Sequence, residues 1–167
     1  MDLGMEQTGE VGMRRVPQES GTLGAEVATC VCFNLRKAAR AVTQLYDAVL
    51  RPSGLRVTQF SILAVLSRSG PLTQSRLASA TVTDRTTLTR NLRLLEAKGL
   101  IRVERGADRR QREVGLTEPG RKALAKAYPL WKDAQARMAK PFERGPRASK
   151  VGSLLADLAF LVAVSRG

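Results

Sequence analysis

One segment constrains the fold of this chain more than any other, because in residues 81–116 a helical pattern runs directly into two alternating segments. Leu88, Leu92 and Leu95 recur at i, i+4 and i+7, so they share one face of a predicted helix. A helix with this pattern packs against a core through its leucines and leaves its other side in solvent.

Flanking residues set the limits of this helix and of a hairpin after it. Thr83 is expected to cap the helix and Gly99 to follow its end, which gives about four turns. Leu100–Arg105 and Gln111–Leu116 alternate as two β-strands do, and Gly106–Arg110 would join them. The segment therefore predicts a helix followed by a β-wing.

The solvent side of the predicted helix carries side chains suited to nucleic acid. Arg85 and Thr89 recur at i, i+4, as do Thr86 and Arg90, and these types hydrogen-bond base edges and phosphates. Between residues 84 and 112, nine Lys and Arg side chains stand against four Asp and Glu. An ordinary solvated helix and hairpin is the alternative, but the charge excess favours contact with double-stranded DNA.

The charge of the whole chain agrees with this. Its 167 residues include 28 Lys and Arg against 15 Asp and Glu, a formal net charge of +13 that attracts polyanions. The basic residues are mostly arginines interleaved with Thr and Leu, which disfavours a membrane surface as partner. Aromatic residues make up only 4% while Ala and Leu abound, so we expect one compact, mainly α-helical domain. With neither a signal peptide nor a spanning segment visible, a cytoplasmic location is expected.

Several chemistries are disfavoured by what the sequence lacks. It has no histidine, so Ser–His–Asp and Cys–His nucleophiles and histidine metal sites are absent. Two cysteines alone rarely hold zinc, and no Gly-rich phosphate loop is present. We therefore expect no enzymatic activity, no catalytic residues, no metal and no cofactor.

Breaks in the periodicity divide the chain into regions. The predicted regions are a disordered tail (1–20), an N-terminal dimerisation helix (21–56), a winged helix-turn-helix (57–117) and C-terminal dimerisation helices (118–167). The predicted helices are Thr22–Leu50, Gln59–Ser67 with Thr58 as cap, Leu72–Ala78 with Thr73 as cap, one from Thr117 to about Ala139, and about Ala148–Val164. Ala80–Val82 is the expected turn of the helix-turn-helix, and Pro141 is expected to lie beyond a helix end.

Both terminal regions carry more apolar surface than a small winged domain needs. Left exposed, such stripes would promote aggregation, so a two-fold homodimer built from the terminal helices is expected. Such a dimer would present two recognition helices to successive major grooves. The stripes are Val27, Val31, Leu35, Ala38, Val42, Leu45 and Val49 in the first helix, and Leu154, Leu155, Leu158, Leu161 and Val162 in the last.

Two motifs resemble the MarR family of transcriptional regulators. The first is Asp108-Arg109-Arg110 followed by the sequence LTEPG, and the second is the junction LLEAKGLI at residues 94–101. The resemblance implies a winged helix-turn-helix homodimer that binds pseudo-palindromic operators, usually as a repressor released by a ligand or by oxidation. It also implies that Arg110 enters the minor groove and that Asp108 orients it, which agrees with the affinity of arginine for narrow minor grooves. We expect the neighbouring Arg109 to contact DNA at the wing as well.

The segment from Cys32 to Tyr46 is similar to the first helix of the organic hydroperoxide resistance regulators, a MarR subgroup. The resemblance implies that Cys32 is the peroxide-reactive thiol and that Tyr46 hydrogen-bonds it. Fourteen residues of helix separate the two by about 21 Å, so Tyr46 would come from the partner chain. Where the subgroup has tyrosines, this chain has Arg36 and Val57. Arg36, one helical turn from Cys32, would take over part of the role of those tyrosines in activating the thiol.

Four readings of the function stay open. The effector is an organic peroxide or a small aromatic carboxylate held by Arg36, Arg40 and Tyr46, with Tyr128 and Trp131 as further candidates. In the second case the cysteines are structural. Cys30 is not expected to pair with Cys32, because positions i and i+2 of a helix lie about 200° apart. A non-specific architectural DNA-binding protein and a thiol peroxide scavenger are the remaining readings.

Overall fold

The computed structural model describes residues 26–106, 111–143 and 151–165, and it is mainly helical. Tertiary contacts divide the chain into two units, Met1–Arg40 and Ala41–Gly167. The predicted N-terminal tail and the wing-tip residues Asp108, Arg109 and Arg110 lie outside the described residues.

The order of the elements is that of a winged helix-turn-helix, as the sequence predicts. A 3₁₀ turn at Arg51–Ser53 separates the first two helices. The elements are α1 (Val31–Leu50), α2 (Val57–Ser69), β1 (Leu72–Thr73), α3 (Gln74–Thr81), α4 (Arg85–Ala97), β2 (Ile101–Arg105), β3 (Arg112–Leu116), α5 (Glu118–Glu143) and α6 (Val151–Val164).

The wing belongs to a three-stranded antiparallel sheet of order β1-β3-β2 rather than to a two-stranded hairpin. Strand β1 has only two residues, Leu72 and Thr73, which pair with Val114 and Glu113. The sequence pattern predicts Leu72 within the following helix, since a strand of two residues carries no periodicity. Thr73 does cap that helix as predicted, because its Oγ1 accepts a hydrogen bond from the backbone N of Arg76 at 3.3 Å.

The continuous helix predicted from Thr22 to Leu50 is wrong in its first part. Residues 26–29 are helical, Cys30 lies outside the helix, and α1 begins at Val31. The side-chain Nδ2 of Asn34 donates to the carbonyl oxygens of Ala28 at 2.7 Å and of Cys30 at 3.0 Å, which satisfies backbone groups left over at the break. The angular argument against a Cys30–Cys32 pairing assumed an unbroken helix and therefore does not hold.

Helix α2 begins two residues earlier than predicted, and its cap is not Thr58. The carboxylate of Asp47, on α1, accepts from the backbone N of Val57 at 2.7 Å, while Gln59 Oε1 accepts from the backbone N of Arg56 at 3.2 Å. Sequence analysis missed Asp47 because this cap lies ten residues away in the chain.

The C-terminal helices also differ in their limits. Helix α5 begins after Thr117 as predicted but passes through Pro141 to Glu143 instead of ending near Ala139. The proline removes one backbone donor, and so close to the helix end this costs little pairing. Helix α6 begins at Val151, and residues 148–150 of its predicted start lie outside the described part.

A single apolar cluster in the second unit holds the winged region together. Helix α2 contributes the buried residues Gln59, Phe60, Ile62, Leu63 and Leu66. The first turn of α5 packs so closely against Leu100 and Leu116 that the contact depends on Gly120. A Cβ there would collide with the Leu100 carbonyl oxygen and the Leu116 side chain. The fully buried residues of largest volume are Leu50, Leu63, Leu66, Leu77, Leu95 and Val114.

Apolar side chains remain exposed on the terminal segments of each unit. In the first unit Val27, Val31 and Leu35 are exposed. In the second, Phe160 is 68% exposed and its neighbours on α6 are also open to solvent. Among the described residues, no helix combines the length and the hydropathy needed to cross a membrane.

Candidate nucleic-acid interface

Helix α4 is fixed to the core by its leucines. Leu88, Leu92 and Leu95 are buried, as their spacing predicts. The cap is Asp84 and not the predicted Thr83: Asp84 Oδ1 accepts from the backbone N of Thr87 at 2.8 Å. Hydrogen bonds from the Thr87 side chain and then from its backbone hold the pKa of Asp84 below the usual aspartate value. The start of α4 is therefore held by a charged cap that also suits the positive end of the helix dipole.

The turn of the helix-turn-helix lies later than predicted, at Val82–Asp84. Val82 adopts a left-handed conformation with φ of 48°, which is uncommon for a β-branched residue. Its backbone N donates to Ser79 O, and the Thr83 backbone N donates to Ala78 O at 3.0 Å. These bonds close the end of α3 and set the angle at which α4 departs.

The outer face of α4 carries the predicted DNA-contacting side chains. Arg85, Thr86 and Arg90 are exposed, whereas Thr89 is half-buried and donates its hydroxyl proton to the Arg85 carbonyl oxygen at 2.7 Å. Thr89 is therefore left as an acceptor in this conformation. Arg93 lies on the same stripe, and the sequence analysis missed it although it follows Thr86 at i+7.

The arginines of α4 carry no neutralising partner within the described part of the chain. The ion pairs there are Arg56–Asp47, Arg102–Glu104, Arg121–Glu118 and Arg137–Asp133, none of which involves α4. A guanidinium that is exposed and unpaired is available to a phosphate or a guanine edge.

Beside α4 lies an open cleft of about 1010 Å³, bounded by α3, the first turns of α4 and the start of β3. Its lining includes Arg85 of α4 and Arg112 of β3 together with hydroxyl-bearing residues of α3. The positive outer face of α4 thus continues into a positive cleft on one side.

Known proteins share both this architecture and the sequence that builds it. The crystal structure of the M. tuberculosis transcriptional regulator MosR in complex with DNA is 46% identical, covers 83% of this chain and 99% of its own, and superposes with a TM-score of 0.69. A profile of the MarR family matches residues 53–111, from the last residue of the 3₁₀ turn to the residue before β3. The chain belongs to the MarR family.

Other MarR-like relatives are more distant. The transcriptional repressor CouR, bound to a 23-mer DNA duplex, is 27% identical, covers 82% of this chain and 95% of its own, and has a TM-score of 0.70. The HTH-type transcriptional regulator YwoH of Bacillus subtilis is 32% identical over 88 residues, which are 53% of this chain. The match spans 64% of YwoH, less than two thirds of that relative.

The residues predicted to sense an effector are divided between the two units of this MarR protein. Cys32, Arg36 and Arg40 belong to the first unit and are exposed, as is Cys30. Both cysteines are free thiols.

Tyr46 belongs to the second unit, where it is 7% exposed. Its hydroxyl donates to Gln135 Oε1 of α5, a partner that the sequence analysis did not identify. Burial raises the pKa of Tyr46 above the ordinary tyrosine value. In this conformation Tyr46 connects α1 to α5, and its hydroxyl proton is already donated to Gln135. To donate a hydrogen bond to a thiol of the partner chain, the hydroxyl would have to leave Gln135.

Tyr128 and Trp131 form a stack rather than a clamp around a pocket. Trp131 lies between Phe60 and Tyr128, with both pairs of ring centroids 5.7 Å apart and nearly parallel. The ammonium of Lys132 lies 6.0 Å from the centre of the Tyr128 ring. The stack extends the core to the surface of α5 and stabilises the α2–α5 contact.

Proposed function

We propose that this protein is a homodimeric transcriptional regulator, most simply a repressor, that binds double-stranded DNA with α4 in the major groove. The outer face of α4 carries this proposal, since it presents threonines beside arginines that pair with no carboxylate among the described residues, while buried leucines fix the helix to the core. Arg85, Thr86, Thr89 and Arg90 would contact bases and phosphates, and Arg93 would extend the same stripe.

The relatives support a DNA partner. MosR is described in complex with DNA and CouR as a repressor bound to a DNA duplex. By analogy with the family, Arg110 would enter the minor groove and Asp108 would orient it, and Arg109 would be a further DNA contact at the wing.

A dimer is supported by the apolar side chains that a single chain leaves exposed at its terminal segments. Two-fold symmetry would place two α4 helices on half-sites about one turn of DNA apart, which is why a pseudo-palindromic operator is expected.

The test is fluorescence anisotropy with a duplex from upstream of the protein's own gene and a random duplex of equal length. We expect operator binding at least about a thousandfold tighter than random binding at equal salt. Arg90→Ala should reduce that ratio, whereas Arg137→Ala, an exposed arginine paired with Asp133 on α5, should leave it unchanged. Equal affinity for both duplexes would indicate an architectural protein instead.

We propose further that oxidation of Cys32 releases the DNA. The thiolate would attack the peroxide oxygen, forming a sulfenic acid on Cys32 and releasing an alcohol. The exposure of Cys32 supports this, because a peroxide can reach it.

Titration of cumene hydroperoxide into the DNA complex tests this step. Wild type and Cys30→Ser should release DNA, while Cys32→Ser should stay bound. Binding that ignores peroxide in all three proteins would reject oxidation and favour a small aromatic carboxylate, held by Arg36, Arg40 and Tyr46, as the effector.

A further inference from the structure

The cleft beside α4 has walls from two consecutive helices and from a strand that is distant in the chain. Helix α3 contributes Gln74 and Ser75, α4 contributes Arg85, and β3 contributes Arg112. Strand β1 leads directly into α3 and pairs with β3, which holds the start of α3 beside Arg112. The cleft is therefore a product of the β1–β3 pairing.

The chemistry of the cleft is that of an oxyanion site. Two guanidinium groups, Arg85 and Arg112, line it together with the hydroxyls of Thr73 and Ser75, and its described lining contains no carboxylate. Neither arginine forms an ion pair with another described residue. Guanidinium groups and hydroxyl donors match the charge and the hydrogen-bond acceptors of a phosphate group.

The strand register supplies an independent observation. Arg105 lies directly opposite Arg112, on the sheet face that also carries the Val103–Val114 pair. At the solvent-exposed end of the β2–β3 ladder, this face therefore carries two arginines directly opposite each other. Like charges directly opposite each other destabilise an antiparallel pair, and an anion bound beside them relieves that repulsion.

The cleft is also continuous with the proposed base-contacting surface. Arg85 and Thr89 line both the cleft and the outer face of α4. An anion in the cleft would thus lie within one side chain's length of bases contacted by α4, as a backbone phosphate of the same DNA does.

We propose that this cleft binds one phosphodiester group of the DNA backbone, held by Arg112 with Arg85 beside it, and so sets the position of the wing on the duplex. This inference rests on the proposed function and assigns a phosphate contact to Arg112, which the sequence analysis did not single out.

Arg112→Gln tests the proposal in anisotropy titrations between about 50 and 200 mM salt. We expect affinity to fall by about 3- to 10-fold on operator and random duplexes alike, because a phosphate contact carries no sequence information. The slope of log affinity against log salt should become shallower by about one unit for each Arg112 engaged. Arg112→Lys keeps the charge and should retain the slope.

Arg102→Gln is the matched control. Arg102 lies on the same hairpin but on the opposite sheet face, where its Nε pairs with Glu104 at 3.1 Å. The DNA affinity of Arg102→Gln and its salt slope should equal those of wild type.

A scan of single methylphosphonate substitutions along the duplex locates the phosphate. Neutralising one phosphate per half-site should weaken wild type, while Arg112→Gln should be indifferent at that position, because the two changes remove the same contact.

Four outcomes would overturn the site. Unchanged affinity and slope in Arg112→Gln, with wild type bound, rejects it while the proposed function stands. A loss confined to the operator would make Arg112 a base contact. Inorganic phosphate that raises the Tm of wild type but not of Arg112→Gln, with equal DNA affinities, would assign the cleft to free phosphate. Wild type that binds no duplex would reject the proposed function and this site together.

Discussion

At the scale of single residues, Asp84 shows how a cap decides where the recognition helix begins. The sequence offered Thr83 and Asp84 side by side, and either type caps helices well. In the structure Asp84 accepts from Thr87, while the hydroxyl of Thr83 donates to the Thr81 carbonyl oxygen at 3.0 Å. The choice depended on the backbone of the turn, which single-residue preference does not specify.

Asp84→Ala should lower the urea midpoint of unfolding more than Thr83→Ala does, since only the first change leaves the Thr87 N–H without its acceptor. The pKa of Asp84 is lowered on folding, so its contribution is complete above the unfolded-state pKa and is lost as the pH falls through the folded-state pKa. Equal midpoints for the two variants at neutral pH would contradict this assignment.

Gly120 is a position where only glycine fits. A Cβ would collide with the Leu100 carbonyl oxygen, so Gly120→Ala should cost about 1–3 kcal/mol in the free energy of unfolding. Gly152→Ala on α6 is the control, because nothing lies within 4 Å of its Cβ position. There the change should be neutral or stabilising by up to about 1 kcal/mol. Urea denaturation of both variants distinguishes a steric collision at Gly120 from an effect common to replacing any glycine in these helices by alanine.

At the scale of elements, the faces of the helices were predicted better than their limits. Leu88, Leu92 and Leu95 point into the core as their spacing requires, because burial of a helical stripe is a local property. The limits of α2 and α5, and the strand β1, were wrong or missed. The start of α2 and strand β1 depend on partners elsewhere in the chain, which are Asp47 and β3.

The Tyr46–Gln135 bond gives a prediction about the contact between α1 and α5. Tyr46→Phe should reduce the free energy of unfolding by about 0.5–1.5 kcal/mol, measured by urea denaturation at neutral pH. Burial raises the pKa of Tyr46, so its contribution is complete below the unfolded-state value and is lost as the pH rises through the folded-state value. Wild type should therefore lose stability in alkali more steeply than Tyr46→Phe. Parallel pH profiles would show that Tyr46 ionises as it does in the unfolded chain.

At the scale of the whole molecule, charge and exposed apolar surface describe two different partners. The net charge of +13 favours a polyanion, and the unpaired arginines of α4 are part of it. The exposed apolar side chains of α6 favour an apolar partner, and we propose that this partner is a second copy of the chain.

Sedimentation equilibrium should show a dimer for wild type, and Leu158→Asp should shift it toward monomer, because a charge would be buried in the shared surface. Operator affinity should then fall by at least about tenfold, since the two half-sites no longer act together. Ala156→Asp, at an exposed position on the same helix but on the face opposite Leu158, should change neither. A wild-type monomer that still binds its operator tightly would refute the dimer.

Sequence alone determined the order of the elements, the buried face of α4, the cap at Thr73 and the family motifs. These follow from neighbours within one or two turns, where periodicity and side-chain chemistry act locally. Tertiary structure decided the third strand, the Asp47 cap, the tie between Tyr46 and Gln135 and the cleft beside Arg112. These features depend on contacts between residues that are far apart in the sequence, such as Tyr46 and Gln135, which are 89 positions apart. A local sequence pattern does not specify which distant residues come into contact.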